Sequence, residues 1–385
     1  MNRRVFLCAA AAAGFRMIAR AQPPSVPDAI RNLRPMTAGI QPITDAERRA
    51  RVEKARRLMH ENKIGAVVME GGSSAFYFTG SRSDGLFVLP LRGEILSLAR
   101  EYSAIASALK DNGVAAGRVG IEERVHFDVI DGVGKLAPAL EFTSADPVTA
   151  GCRMIKSPAE IALMQRANDI TIAAYRAALG SLTEGMTQRE LSANIAAAYR
   201  ALGVQGGAMA IFGKYTAFPH GSVQPQQLRE GDLVLIDDGC SVEGYQSDIT
   251  RTVIFGQPTA RQRQIWALER EAQDAALAAA QPGASCESVD AAARKVITDA
   301  GFGPGYKVPG LPHRTGHGIG LDGHEWTYLV RGNQTRLQPG MCFSDEPTIA
   351  IYGEFGVRLE DCMYITEDGA RMFTKQSPAI DQPFG

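Results

Sequence analysis

The spacing of apolar and polar residues divides the chain into segments of different period. From about residue 45 to 62 the pattern is helical, with Arg and Glu on the outer face. Residues 64–69 form an unbroken apolar run of strand length. Residues 75–80 predict a short element that stops at Gly80. Residues 86–89 and 95–98 flank Arg92-Gly93 and predict a hairpin, and residues 119–121 predict a further strand. Residues 45–150 are therefore expected to form an α/β domain. Residues 22–44, rich in Pro and polar side chains, predict a tether before it, and residues 150–156 predict a linker after it.

Residues 151–385 read differently. Ser157-Pro158-Ala159-Glu160 is a capping box with proline at the first helical position. It predicts a long helix to about Leu179, stopped by Gly180. A faint internal repeat follows. Gly185-Met186-Thr187 leads a helix with apolar Leu191, Ile195, Ala198 and Leu202, which stops at Gly203. Gly283-Ala284-Ser285 leads another with Val289, Ala292, Val296 and Ala300, which stops at Gly301. The two glycine pairs have the same spacing. Each unit follows a long helix and precedes strand-like segments, so two helix-helix-strand halves are expected to face each other. The fold class expected is α+β.

The strand-like segments end in acids. Leu233-Val234-Leu235-Ile236 runs into Asp237, and the segment from Gly244 to Phe255 carries Asp248. Gly239 and Gly244 fit a hairpin-like reversal that brings the two carboxylates together across antiparallel strands. Met341-Cys342-Phe343 leads to Glu346 and Gly356-Val357-Arg358-Leu359 leads to Glu360, which predicts the same device a second time. Four carboxylates carry about four negative charges, enough to balance two divalent cations. One neutral imidazole, His317, would complete the set.

Composition narrows the partners. The chain has 41 Lys and Arg against 42 Asp and Glu, so no bulk basic field points to nucleic acid or to an anionic membrane. No long uncharged apolar run exists, so no spanning helix is expected in the mature form. Residues 1–21 read as an export signal. Arg3-Arg4, followed by Val5-Phe6-Leu7 and an Ala-rich run, resembles a twin-arginine leader, which implies a bacterial periplasmic location. Of six cysteines, Cys8 lies in that leader, and the other five are expected as small buried residues rather than disulfides. Gly318-Ile319-Gly320-Leu321-Asp322-Gly323 matches a dinucleotide-binding fingerprint but does not open a helix after a strand within a βαβ unit.

With these phrases in view, residues 155–370 resemble the pita-bread-fold metallopeptidases, the family of aminopeptidase P, prolidase and methionine aminopeptidase. Residues 45–150 resemble the creatinase-type domain found in the aminopeptidase P and prolidase branch. The resemblance implies a metal set of Asp237, Asp248, His317, Glu346 and Glu360. Asp237 would bind through both oxygens and Asp248 and Glu360 would bridge, while Asp238 would face away. It also implies functional roles for His220, His313 and His324, which would surround the substrate, for Glu346 as proton carrier, and for Arg358 as a support of the site or of the substrate carboxylate.

The expected cofactor is a pair of divalent ions, manganese first and cobalt or zinc as alternatives, activating water for attack on an Xaa-Pro amide. The expected partner is a peptide, and the chain is expected to be a homodimer. Hydrolysis of a small non-peptide amide and a catalytically inactive binding module are the competing readings. One departure stands out. Where the family phrase is His-Glu-x-Pro, this chain has His324-Glu325-Trp326-Thr327.

Overall fold

The computed structural model describes residues 26–384, so the expected export signal lies outside the described residues. Residues 26–44 are no free tether. The short helix α1 (Asp28–Arg31) and the chain after it lie on the C-terminal domain. Ile30 is 1% exposed, Met36 N–H donates to Leu202 O at 2.9 Å, and Arg166 Nη1 donates to Met36 O at 3.0 Å. The scattered apolar residues Ile30, Leu33, Met36 and Ile40 supply the buried side of this arm.

α2 (Asp45–Glu61) begins where the Thr44 hydroxyl accepts from Glu47 N–H. The N-terminal sheet follows, formed by β1 (Ala66–Glu70), β2 (Leu86–Pro90), β3 (Leu96–Leu98), β4 (Gly117–Ile121) and β5 (Leu140–Ser144) in the order β3-β2-β1-β4-β5. The β2–β3 hairpin is antiparallel, and β1, β4 and β5 are parallel. Between them lie α3 (Ser73–Thr79), α4 (Tyr102–Asp111) and α5 (Phe127–Leu136). The apolar run of β1 is explained by burial on both faces. Val67 and Met69 join the core shared with the C-terminal domain, while Ala66 and Val68 pack in a second cluster with Ile105, Leu109, Val129 and Val133.

The expected linker is also absent. α6 (Asp146–Arg153) covers residues 150–153, with Cys152 fully buried and Arg153 8% exposed. Lys156 N–H then donates to Gly340 O at 2.8 Å, and the two domains meet along a packed seam where Arg51 of α2 lies 3.5 Å from Glu160 of the C-terminal domain.

α7 (Pro158–Leu179) opens with the predicted capping box. Its face of Leu163, Met164, Ala167, Ile170, Ala174 and Tyr175 is buried, each Leu- or Ile-sized side chain contributing about 1.5–3 kcal/mol. α8 (Gln188–Ala201) packs on it. The antiparallel strands β6 (Met209–Phe212), β7 (Leu233–Asp238) and β10 (Ile249–Ile254) complete this half, in the order β10-β7-β6. A small hairpin, β8 (Ser241–Val242) with β9 (Tyr245–Gln246), extends from β7 and turns at Glu243-Gly244.

The second half repeats the plan. α9 (Ala260–Ala279) packs on α10 (Cys286–Asp299). The sheet order is β12-β11-β13-β16-β17, from β11 (Gly316–Gly318), β12 (Glu325–Leu329), β13 (Cys342–Asp345), β16 (Asp361–Thr366) and β17 (Gly369–Met372). β14 (Thr348–Ile351) and β15 (Phe355–Arg358) form a separate hairpin. Gly203 and Gly301, with φ of 91° and 90°, end the two equivalent helices in the left-handed conformation.

One face needs correction. α10 buries Cys286, Val289, Asp290, Ala293 and Ile297, whereas Ala292 and Val296 are only partly buried and Ala300 is exposed. Cys152, Cys240, Cys286, Cys342 and Cys362 are all free thiols and all buried.

Candidate metal centre

β7 and β10 pair so that Asp237 lies opposite Thr250, with Asp248 immediately before β10. β13 and β16 pair Asp345 with Asp361, which puts Glu346 and Glu360 at the next step of the same ladder. The acids thus come from two strand pairs, as expected. Glu360, however, sits where β15 gives way to β16, and β15 itself pairs with β14 rather than β13. The halves join through Glu360 N–H, which donates to Thr250 O at 3.1 Å.

Every predicted residue lines one cavity of about 370 Å³: His220, Asp237, Asp248, His313, His317, His324, Glu346, Arg358 and Glu360. Tyr306, Arg314 and Val330 line it as well. Asp238 is exposed, and its Oδ1 accepts from Gly239 N–H at 2.8 Å.

Three groups bring potential ligand atoms within 4.8 Å of one another: Asp237, Asp248 and Glu360; His317, Glu346 and Glu360; and Asp248, His317 and His324. His324 is therefore closer to the centre than a purely outer position requires. Its ring stacks on that of His317 with centroids 3.8 Å apart.

The donor set fits divalent cations, and four observations support this. First, His317 Nδ1 lies 3.1 Å from Gly318 O, a group that only accepts, so Nδ1 carries the proton. Its Nε2 lone pair then faces Glu346 Oε1 at 3.2 Å and Asp248 Oδ2 at 3.7 Å, acceptor against acceptor. Second, burial and the neighbouring Arg314, Arg358 and His324 push the His317 value down to about 3, so the ring is neutral. Third, burial and then mutual repulsion push Asp248 and Glu360 well above the usual carboxylate range, and burial is the main cause that takes Glu346 to about 7. Fourth, Glu360 Oε1 is buried with no hydrogen-bond partner among the described residues. Cations between these groups would satisfy all four.

The surrounding contacts define further roles. Arg358 Nη2 pairs with Asp237 Oδ2, and its Nε donates to Thr250 Oγ1 at 2.9 Å. Asp361 is held instead by Arg251 Nη2 at 2.6 Å. Thr250, absent from the sequence-derived set, is a node: its hydroxyl lies 2.7 Å from both Asp237 Oδ1 and Glu360 Oε2. The available signal was its position two residues after Asp248, on the same strand face.

His313 has both nitrogens engaged, Nδ1 with Arg314 O at 2.7 Å and Nε2 with Thr348 Oγ1 at 2.9 Å. Burial and then the Arg358 charge lower its value to about 3. His324 Nδ1 lies 3.3 Å from Arg314 Nη2, a donor, so its proton is on Nε2. His220 is exposed at the cavity mouth.

Comparison with known proteins agrees with this geometry. Residues 162–367 match metallopeptidase family M24. The Xaa-Pro dipeptidase of Pyrococcus furiosus is 32% identical over 348 residues, covering 84% of this chain and 97% of that protein. The prolidase crystal structure from Pyrococcus horikoshii OT3 superposes with a TM-score of 0.75 at 30% identity, covering 85% of this chain and 98% of that one. Dipeptidase PepE from Mycobacterium ulcerans gives 0.79 at 29% identity, over 89% and 99%. With its two-domain pita-bread architecture and a cavity of carboxylates and imidazole suited to divalent metal, the chain belongs to metallopeptidase family M24 and is a metal-dependent peptidase.

Proposed function

We propose that the chain is a dinuclear Xaa-Pro peptidase, acting on dipeptides. The carrying observation is ligand sharing. Asp248, His317 and Glu360 each belong to two of the three ligand groups, which supports two neighbouring ion positions in one cavity. The names of the relatives, Xaa-Pro dipeptidase and prolidase, support the substrate class.

Asp237, Asp248, His317, Glu346 and Glu360 would hold the ions, and this oxygen-rich set favours manganese, then cobalt or zinc. Bound divalent ions supply Lewis-acid polarisation of a carbonyl and lower the pKa of water. Glu346 moves a proton toward the departing nitrogen. His324 donates from Nε2 to the developing oxyanion, a contribution of ~3 kcal/mol, and His220 is the second donor at the mouth. His313, with both nitrogens occupied, keeps the Thr348 and Arg314 wall in place. Arg358 fixes Asp237 rather than standing free for a substrate carboxylate. A proline nitrogen offers no N–H, and a cavity that reads its substrate through carboxylates and imidazoles needs none.

The leader-like pattern of residues 1–21 supports a proposed periplasmic location by the twin-arginine route, and we propose a homodimer. Cell fractionation with N-terminal sequencing tests the first, and light scattering tests the second.

The decisive experiment incubates manganese-loaded protein with a mixed peptide pool and identifies products by mass spectrometry. Cleavage confined to Xaa-Pro dipeptides is the expected result. Trimming of longer Xaa-Pro peptides would make it an aminopeptidase. No cleavage of any Xaa-Pro peptide rejects the reading and turns attention to small non-peptide amides.

A further inference from the structure

The glycine-rich turn before β12 opens no helix, yet Gly318 and Gly320 are needed where they stand. A Cβ on Gly320 would stand 2.7 Å from Glu325 Oε2 and 2.8 Å from Lys156 Cε, closer than such atoms approach. The turn is wrapped around one carboxylate. Glu325 Oε1 accepts from the backbone N–H of Leu321 at 2.8 Å and of Asp322 at 3.1 Å, and from Arg153 Nη2. Its Oε2 accepts from Lys156 Nζ at 3.1 Å.

Both cations come from outside the turn. Arg153 ends α6 of the N-terminal domain, and Lys156 stands just before α7. Arg153 also reaches Asp322 Oδ2 at 2.5 Å and Ser74 Oγ at 3.2 Å. Glu325, Arg153 and Lys156 are 6%, 8% and 5% exposed, so the pairing is screened from water.

His324 directly precedes Glu325. One peptide unit separates this buried clamp from the ring that stacks on His317 and faces the cavity. The ring itself is exposed, and Nδ1 makes its polar contact with Arg314. On its own side the ring is held by stacking on His317 and by Arg314, whereas the residue after it is fixed at four points.

We propose that Arg153 and Lys156, acting through Glu325, are positioning residues for His324. The last helix of the N-terminal domain thereby sets where the donor of the catalytic cavity stands. Only the kinetic half of the test rests on the peptidase reading.

Arg153→Met is made alone and on a His324→Ala background. Because loss of a buried ion pair can unfold a chain, Arg153→Lys is made in parallel; it keeps the charge but not the forked reach. Expected for the single variants is a fall in kcat of about ten-fold or more, the Lys variant milder, with KM and bound metal within two-fold. On His324→Ala the Arg153 change should add no further loss, since its route to the chemistry is already gone. Amide hydrogen exchange across residues 318–325 should quicken about ten-fold while β1 and β2 stay unchanged. Additive kcat losses in the double variant, or unchanged exchange in the turn, would overturn the proposal. The exchange measurement uses no substrate, so a chain that cleaves no peptide fails the peptidase reading and still leaves the clamp to be judged on the turn.

Discussion

At the scale of single residues, the site is a collection of groups that would not tolerate one another without cations. Asp248 belongs to two of the ligand groups. Asp248→Ala should therefore remove most bound metal and activity together, with the far-ultraviolet circular dichroism preserved; full activity in that variant would sink the dinuclear reading. His324→Ala makes a contrasting prediction. Turnover should fall by about 10²-fold, the loss of one good oxyanion donor, with metal content measured by plasma emission nearly unchanged. If metal is lost in step with activity, the ring is a ligand, as the third ligand group allows.

Much of this was legible in the sequence because the acids lie at strand ends in distinctive phrases. What was not legible is how shared atoms are divided. Thr250 has one proton and two carboxylates at 2.7 Å, and Arg358 takes Asp237 rather than Asp345 or Asp361. Such choices depend on side chains meeting across more than a hundred residues of chain, which no local pattern records.

At the scale of elements, local signals set the boundaries well where they have a mechanism. The Ser157 capping box starts α7 as its spacing predicts, and the Ser157 hydroxyl also reaches Glu47 of α2. Ser157→Ala should cost about 1 kcal/mol, seen as a lowered urea midpoint with unchanged slope. Elements without such signals were missed. α5 has no side-chain cap, contains two glycines and buries only Val129 and Val133, and β5 has just Leu140 buried. Residues 26–44 and 150–156 differ from the expected tether and linker because proline-rich and polar composition alone predicts exposure. In the folded chain their few apolar and charged residues find partners on another domain. The face of α10 was displaced by one position because alanine at 292 and 293 is equally small, and only packing distinguishes them.

At the scale of the whole molecule, the two domains are coupled by buried charge as well as by a shared core. Burial alone would raise Glu325, but Lys156 and Arg153 outweigh it and hold its carboxyl at about 2. A value depressed below the ordinary one adds stability above the ordinary carboxylate range and loses it as pH falls toward 2. Urea midpoints should thus fall more steeply between about pH 5 and pH 2 in the native sequence than in Glu325→Gln. Equal slopes would mean the pair contributes nothing to acid sensitivity.

The thiols carry a last consequence. Cys152 lies in α6 at the domain seam, Cys240 in the first half of the C-terminal domain, and Cys286, Cys342 and Cys362 in the second half, every one of them buried. Burial also raises the value of each thiol, which keeps the reactive thiolate scarce. A fluorogenic maleimide should leave these five thiols unlabelled in the folded protein and label them as it opens. The protein thus carries its own unfolding reporter, readable at the seam and in each half of the C-terminal domain through the identity of the labelled cysteine.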